Sequence, residues 1–152
     1  MTAERVAMPK TAMVFAAGHS TPKRPLTDKT PKPLVTVAGR TLIDRALDDF
    51  ARAGVETAIV NVHHLADQIE AHLVDRRQPR IVISDERAVL LDQGGGIKKV
   101  LPLIGEDSFF ICNTDAFWCG APQSNLLALA QAWNPDEMDA ALLLAPTQGS
   151  VG

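Results

Sequence analysis

Apolar runs and amphipathic stretches alternate along the 152-residue chain. Met13 to Ala17 is apolar at every position, the pattern of a parallel strand buried on both faces. Leu34 to Val37 reads as a short extended piece, and Gly39 turns the chain after it. Ile43, Ala46, Leu47 and Phe50 share one helical face, which predicts a helix from Leu42 to Ala53. Thr41 is its N-cap, with Asp44 three residues on, and Gly54 closes it. Thr57 to Val62 is a second strand, ending at His63 and His64. Leu65, Ile69 and Leu73 recur every four residues and mark a second helix to Asp75. Arg80 to Ser84 is a third strand with the polar exit Asp85-Glu86-Arg87. Ile97 to Leu101 reads as a short helix before Pro102, and Ser108 to Cys112 as a fourth strand. Ser124 caps a helix to Trp133, and Ala140 to Ala145 is a fifth apolar strand ended by Pro146.

This alternation predicts an α/β fold: a Rossmann-like, mostly parallel sheet with helices on both faces and right-handed crossovers. Residues 1–10 read as a disordered lead-in and 11–152 as one domain. Ligands of such sheets bind beyond the carboxyl ends of the strands. Four polar exits are expected on that edge: the loop after Ala17, His63-His64, Asp85-Glu86-Arg87 and Asn113-Thr114-Asp115.

Composition narrows the function. Hydrophobic residues at 46% and charged residues at 22% are ordinary for a globular domain. A net charge of −3 gives no support for nucleic-acid binding, and no apolar run reaches membrane-spanning length. Met1 to Lys10 lacks the apolar centre of a signal peptide. Cys112 and Cys119 match no zinc spacing, so a reduced, cytoplasmic protein is the simplest inference.

Basic charge is local. Lys23, Arg24, Lys29 and Lys32 crowd the loop that leaves the first strand, where small residues Ala16, Ala17 and Gly18 allow close backbone approach. These cations donate hydrogen bonds and accept none, which suits phosphate oxygens. Pro31 and Pro33 stiffen the backbone around Lys32. The loop lacks the Gly-Lys-Ser/Thr ending of a P-loop and the glycine spacing of the dinucleotide fingerprint. Gly94-Gly95-Gly96 calls for a backbone reason. His63 and His64 are adjacent on a strand, point to opposite faces and should not chelate one ion. Asp85 and Glu86 read as polar surface or loop-bonding groups, and Phe117 and Trp118 as packing residues rather than a sugar platform.

Phe15-Ala16-Ala17-Gly18-His19-Ser20-Thr21, then Arg24-Pro25-Leu26-Thr27, then Thr30-Pro31-Lys32-Pro33-Leu34 resembles the signature of the sugar-1-phosphate nucleotidyltransferases (nucleotide-diphospho-sugar transferase type). The resemblance runs from Thr11 to Pro146 through Asn61-Val62-His63-His64, Gly94-Gly95-Gly96-Ile97 and Asn113-Thr114-Asp115. Within that family it is nearest the uridylyltransferases of N-acetylmuramic acid 1-phosphate in cell-wall recycling, which carry the triple glycine and a Ser84-Asp85-Glu86 type of segment. The resemblance implies transfer of a nucleotidyl group from a nucleoside triphosphate, UTP, to a sugar 1-phosphate, with pyrophosphate released. It implies that Ala16, Ala17 and Gly18 meet the nucleotide and that Gly94 and Gly95 admit the base. Lys32 would pair with the reacting phosphates and Asp115 would hold Mg²⁺. Ser20 stands where the family has its second glycine, and Pro22 where it has an arginine expected to stabilise pyrophosphate; Lys23 and Arg24 are the substitutes at hand. Family members continue past Gly152, so the chain is expected to hold the nucleotide half, with the C-terminal, sugar-binding part missing. A nucleotide-binding protein without turnover, and a guanylyl- or thymidylyltransferase for another hexose 1-phosphate, remain as alternatives.

Overall fold

The computed structural model describes residues 7–18, 27, 29–105, 107–118, 125–146 and 149. Four parallel strands form its sheet: β1 (Thr11–Phe15), β4 (Thr57–Val62), β5 (Arg80–Asp85) and β6 (Phe110–Asn113), in the order β5-β4-β1-β6. Phe15 is level with Asn61 on one side and Asn113 on the other, and Asn61 with Ser84. All four carboxyl ends therefore open on one edge. The chain first builds outward from β1 through β4 to β5, then returns to place β6 on the other side of β1. That reversal leaves a crevice beyond β1 and β6, where ligands of open parallel sheets bind.

Side chains alternate across the sheet, as strand geometry demands. Ala12, Val14 and Ala16 face the larger core, with Ile43, Leu47 and Phe50 of α1 (Leu42–Ala53), Ile69 and Leu73 of α2 (Ala66–Leu73), and Leu126 and Ala130 of α4 (Asn125–Ala132). Met13 and Phe15 face the opposite side and pack with Val100 and Ile104 of α3 (Gln93–Ile104). Helices thus cover both faces. Phe50 and Phe110 meet with ring centroids 5.7 Å apart.

The first helix matches its prediction in full: Thr41 Oγ1 accepts the Asp44 N–H at 3.2 Å, and Gly54 (φ 87°) closes the far end. The extended piece before it becomes a 3-10 turn at Lys32–Leu34 and a small antiparallel hairpin, β2 (Thr36–Val37) with β3 (Arg40–Thr41). Ala38 (φ 47°) and Gly39 (φ 78°) form its two-residue turn, which needs positive φ at both positions.

Three expectations change. The helix expected from Ile97 starts earlier: Gly94, Gly95 and Gly96 occupy the first turn of α3, capped by Asp92, whose Oδ1 accepts the Gly95 N–H at 2.6 Å. The same helix continues through Pro102 to Ile104, because Val100 and Ile104 are both buried against Met13 and Ile59. Residues 140–145 form no strand: they pair with nothing in the sheet, and Leu142 and Leu144 are 77% and 81% exposed. An apolar run becomes a strand only where a neighbour's backbone completes its ladder. The Ser124 cap lies outside the described residues.

Candidate nucleotide site

The crevice predicted from strand order holds a cavity of about 570 Å³, inside the roughly 300–1,000 Å³ range of small-molecule sites. Phe15 to Gly18 form one wall, Lys32 and Pro33 another, Leu90 to Gln93 a third, and Asn113 to Asp115 the last, with Asn61 at the base. Ala16, Ala17, Gly18, Lys32 and Asp115, all singled out from sequence, therefore share one cavity. Lys23 and Arg24 lie outside the described residues, as do Ser20, Pro22 and Cys119.

Each wall has a local cause. The 3-10 turn presents Lys32 between its two prolines. Its Nζ lies 3.2 Å from Asp115 Oδ2, joining residues 83 positions apart across the cavity mouth. Asp115 is half exposed and Lys32 largely covered (53% and 22% of each side chain), so the carboxylate is the more accessible partner. Thr114 Oγ1 donates to the Phe15 carbonyl at 2.8 Å and ties the β6 exit to the β1 exit. Gln93 Nε2 donates to Asn113 Oδ1 at 3.0 Å and ties the start of α3 to the same place. The N-terminal end of α3 therefore borders the cavity, and its free N–H groups and dipole favour an anion there.

Gly18 has open space around it: a β-carbon there would meet nothing within 4 Å. Gly94 and Gly95, expected from sequence to admit the base, do not line the cavity; they follow Gln93, the last residue of its third wall, in the first turn of α3. Gly95 is crowded from within the protein, since its β-carbon would lie 3.1 Å from Asp92 Oδ1 and 3.3 Å from Leu91 Cβ.

Sequence reasoning missed two residues here. Asn61 Oδ1 accepts the N–H groups of Ala16 (2.7 Å) and Ala17 (3.2 Å), so it fixes the backbone leaving β1. Glu86, read as a surface or loop-bonding group, is 2% exposed. It bonds to a loop, through the Leu91 N–H at 3.1 Å, and also to Asn61 Nδ2 at 3.0 Å. The available signal was position: Asn61 and Glu86 both lie at the carboxyl ends of apolar strands. Asp85 does face solvent, where the Arg87 N–H and guanidinium hold its carboxyl below the usual range. His63 sits just past β4 with Nδ1 2.7 Å from the Glu86 carbonyl oxygen, and His64 is exposed. Phe117 stacks under the Arg45 guanidinium at 4.8 Å instead of lining the cavity, and Trp118 packs on the larger core.

Among the described residues no three His, Cys, Asp or Glu side chains gather as a metal-holding group. Asp115 is a hard oxygen donor at an open mouth, which fits an ion such as Mg²⁺ that takes one or two carboxylates and completes its shell with phosphate and water. Asp92, the other carboxylate on the cavity wall, is engaged in capping α3. Burial, reinforced by the charges of Asp115 and Asp49, pushes the Cys112 thiol up to about 11, so it is no nucleophile near neutral pH. No helix among the described residues is long and apolar enough to cross a membrane.

Comparison with known proteins gives the family and the fold. The chain is 52% identical over 148 residues to the N-acetylmuramate alpha-1-phosphate uridylyltransferase of Caulobacter vibrioides, covering 95% of this chain and 61% of that enzyme. It is 42% identical over 106 residues to the enzyme of the same name from Neisseria meningitidis serogroup B, covering 68% and 46%. The chain thus spans about half to three-fifths of the curated relatives it matches. In three dimensions it resembles UDP-glucose pyrophosphorylase complexed with UDP-glucose, with a TM-score of 0.66 at 21% identity over 82% of this chain and 52% of that one, a likeness of fold. The MobA-like NTP transferase domain matches residues 12–150, and the chain belongs to that family.

Proposed function

We propose that the cavity binds a nucleoside triphosphate, UTP, and that the chain takes part in uridylyl transfer from UTP to N-acetylmuramic acid 1-phosphate. The observation that carries this reading is the meeting of Lys32 and Asp115 at 3.2 Å, at the mouth of a cavity at the strand-order reversal. The two relatives named for that reaction supply the choice of substrates. An oxygen of the sugar 1-phosphate attacks the α-phosphorus of UTP; a new P–O bond forms, the α–β bridge breaks, and pyrophosphate leaves. Such chemistry asks for positioning and charge neutralisation rather than a protein nucleophile. The backbone at Ala16, Ala17 and Gly18 positions the nucleoside, with Gly94 and Gly95 beside the base. Lys32 leaves Asp115 for the phosphates, and Lys23 and Arg24 add positive charge toward the leaving group. Asp115 would hold Mg²⁺ together with phosphate oxygens, and the ion would supply charge neutralisation at the α-phosphate. Cytoplasmic cell-wall recycling is the setting this reaction implies.

The test is pyrophosphate release from UTP and N-acetylmuramic acid 1-phosphate with Mg²⁺, alongside calorimetric UTP binding. Turnover should fall by about 10²–10³ in Lys32→Met and Asp115→Asn, the range for losing one electrostatic contact to a transition state. Tighter binding of GTP or dTTP than UTP would overturn the base assignment. Pro22 in place of an arginine favours a second reading, binding without turnover. UTP binding with no turnover in either this chain or Pro22→Arg would establish it.

A further inference from the structure

Four polar side chains are buried among the described residues: Asn61, Ser84, Glu86 and Thr114. Three of them converge on the backbone leaving β1. The peptide joining Phe15 to Ala16 is held at both ends, its carbonyl by Thr114 Oγ1 and its N–H by Asn61 Oδ1. The next N–H, of Ala17, goes to the same Asn61 oxygen. Behind Asn61 stands Glu86, with one carboxylate oxygen on Asn61 Nδ2 and the other on the Leu91 N–H. One buried carboxylate therefore spans two walls of the cavity, the loop after β1 and the segment from Leu90 to Gln93.

The polarity of this hydrogen-bond chain is set at its far end. An asparagine amide can be turned either way, but a carboxylate only accepts. Glu86 thus obliges Asn61 to turn Nδ2 inward and Oδ1 toward the two loop N–H groups. We propose that Glu86 is a positioning residue: by fixing the amide orientation of Asn61, it holds the Ala16–Ala17 backbone and the Leu91 wall in the geometry that receives the nucleotide. This rests on the nucleotide-binding reading for its purpose, but its structural content can be tested without ligand.

Glu86→Gln keeps the shape and removes one acceptor. The Leu91 N–H and the Asn61 amide then compete for one oxygen, and a flip of Asn61 sets N–H against N–H at the loop. Adding Asn61→Asp restores every bond, with only the bond between positions 61 and 86 reversed in polarity. The carboxylate now at position 61 accepts from Ala16, from Ala17 and from the amide nitrogen at position 86, while the amide oxygen at position 86 accepts from Leu91. The readout is native-state amide hydrogen exchange at Ala16 and Ala17, relative to Val14 in the strand, without nucleotide. In Glu86→Gln these two amides should exchange about tenfold faster, and UTP affinity should fall about tenfold, the scale of one lost buried hydrogen bond. The double variant should return the exchange ratio to wild type. Because Asn61→Asp brings charge to the cavity wall, UTP affinity is read in the single variant only. An unchanged exchange ratio in Glu86→Gln, or a double variant that fails to recover, overturns the proposal. Failure of the wild-type chain to bind UTP would instead sink the nucleotide-binding reading and leave the exchange comparison to decide this one. Should Glu86→Gln not fold, a cooperative melt regained in the double variant supports the proposal, and an unfolded double variant overturns it.

Discussion

A β-carbon built at Gly96 would lie 3.2 Å from Glu86 Oε1, 3.4 Å from the Phe15 ring and 3.5 Å from Asn61 Nδ2. Gly96 is thus glycine for the protein's own packing, to leave room for the buried carboxylate. Gly94 differs: its nearest neighbour would be Asp92 Oδ1 at 3.6 Å, an ordinary contact. Gly96→Ala should therefore destabilise the free protein by about 1–3 kcal/mol through overpacking. Gly94→Ala should stabilise it by about 0.5 kcal/mol through helix propensity. Urea unfolding reads both. If Gly94 serves the base, its alanine variant should gain stability and lose UTP affinity together, which calorimetry on the same sample shows. Cys112 gives an independent check on burial. With Cys119 changed to serine, Ellman's reagent should leave Cys112 unmodified at neutral pH and react once the chain unfolds, because burial holds the thiol protonated.

At the scale of elements, α1 and α2 are clasped by charge as well as by their shared core. Arg76, just past α2, donates to Asp44 and Asp48 of α1 at 2.9 and 3.0 Å, and His72 Nε2 lies 2.9 Å from Asp44. Arg40 reaches Asp48 from the hairpin. Burial acts to raise the Asp44 carboxyl, but the hydrogen bonds from Arg76, His72 and Thr41 outweigh it and hold the group below the ordinary value of 3.8. A carboxyl depressed in the folded state stabilises above its unfolded value, and that contribution is lost as pH falls through the folded one. Asp44→Asn should therefore melt lower than wild type at neutral pH, and the gap should close as pH drops below 3.8. A constant gap down to the acid transition would show that the clasp contributes through shape alone. The periodicity of Ile43, Ala46, Leu47 and Phe50 gave the helix; its clasp depends on residues in α2 and beyond, which no local pattern contains.

For the whole molecule, the apolar segment 140–146 tests how the fold reads its own sequence. Its leucines are exposed, and β6 has β1 on one side and no described strand on the other. Leu142→Ser with Leu144→Ser should change stability by less than about 0.5 kcal/mol, as surface substitutions do. Ile59→Ala, at 1% exposure between β1 and β5, should cost about 2–5 kcal/mol. A large loss in the leucine pair would mean that the segment is covered after all. The sequence by itself determined the alternation of strands and helices, the burial of β1 on both faces and the edge on which the polar exits open. These follow from side-chain period and strand direction, which are local and repeat along the chain. It also placed Ala16, Gly18, Lys32 and Asp115 on that edge, because Ala16, Gly18 and Asp115 lie at or near the end of an apolar strand and Lys32 in the basic loop that leaves the first one. Only the tertiary structure decided that residues 140–145 are not a strand, since a ladder needs a neighbour. It alone put the triple glycine inside α3, where Asp92 caps the turn and Val100 and Ile104 anchor the helix. It alone joined Lys32 to Asp115 and set Asn61 and Glu86 behind Ala16 and Ala17. Those contacts link residues tens of positions apart, and hydrogen-bond polarity across such distances leaves no periodic trace in the chain.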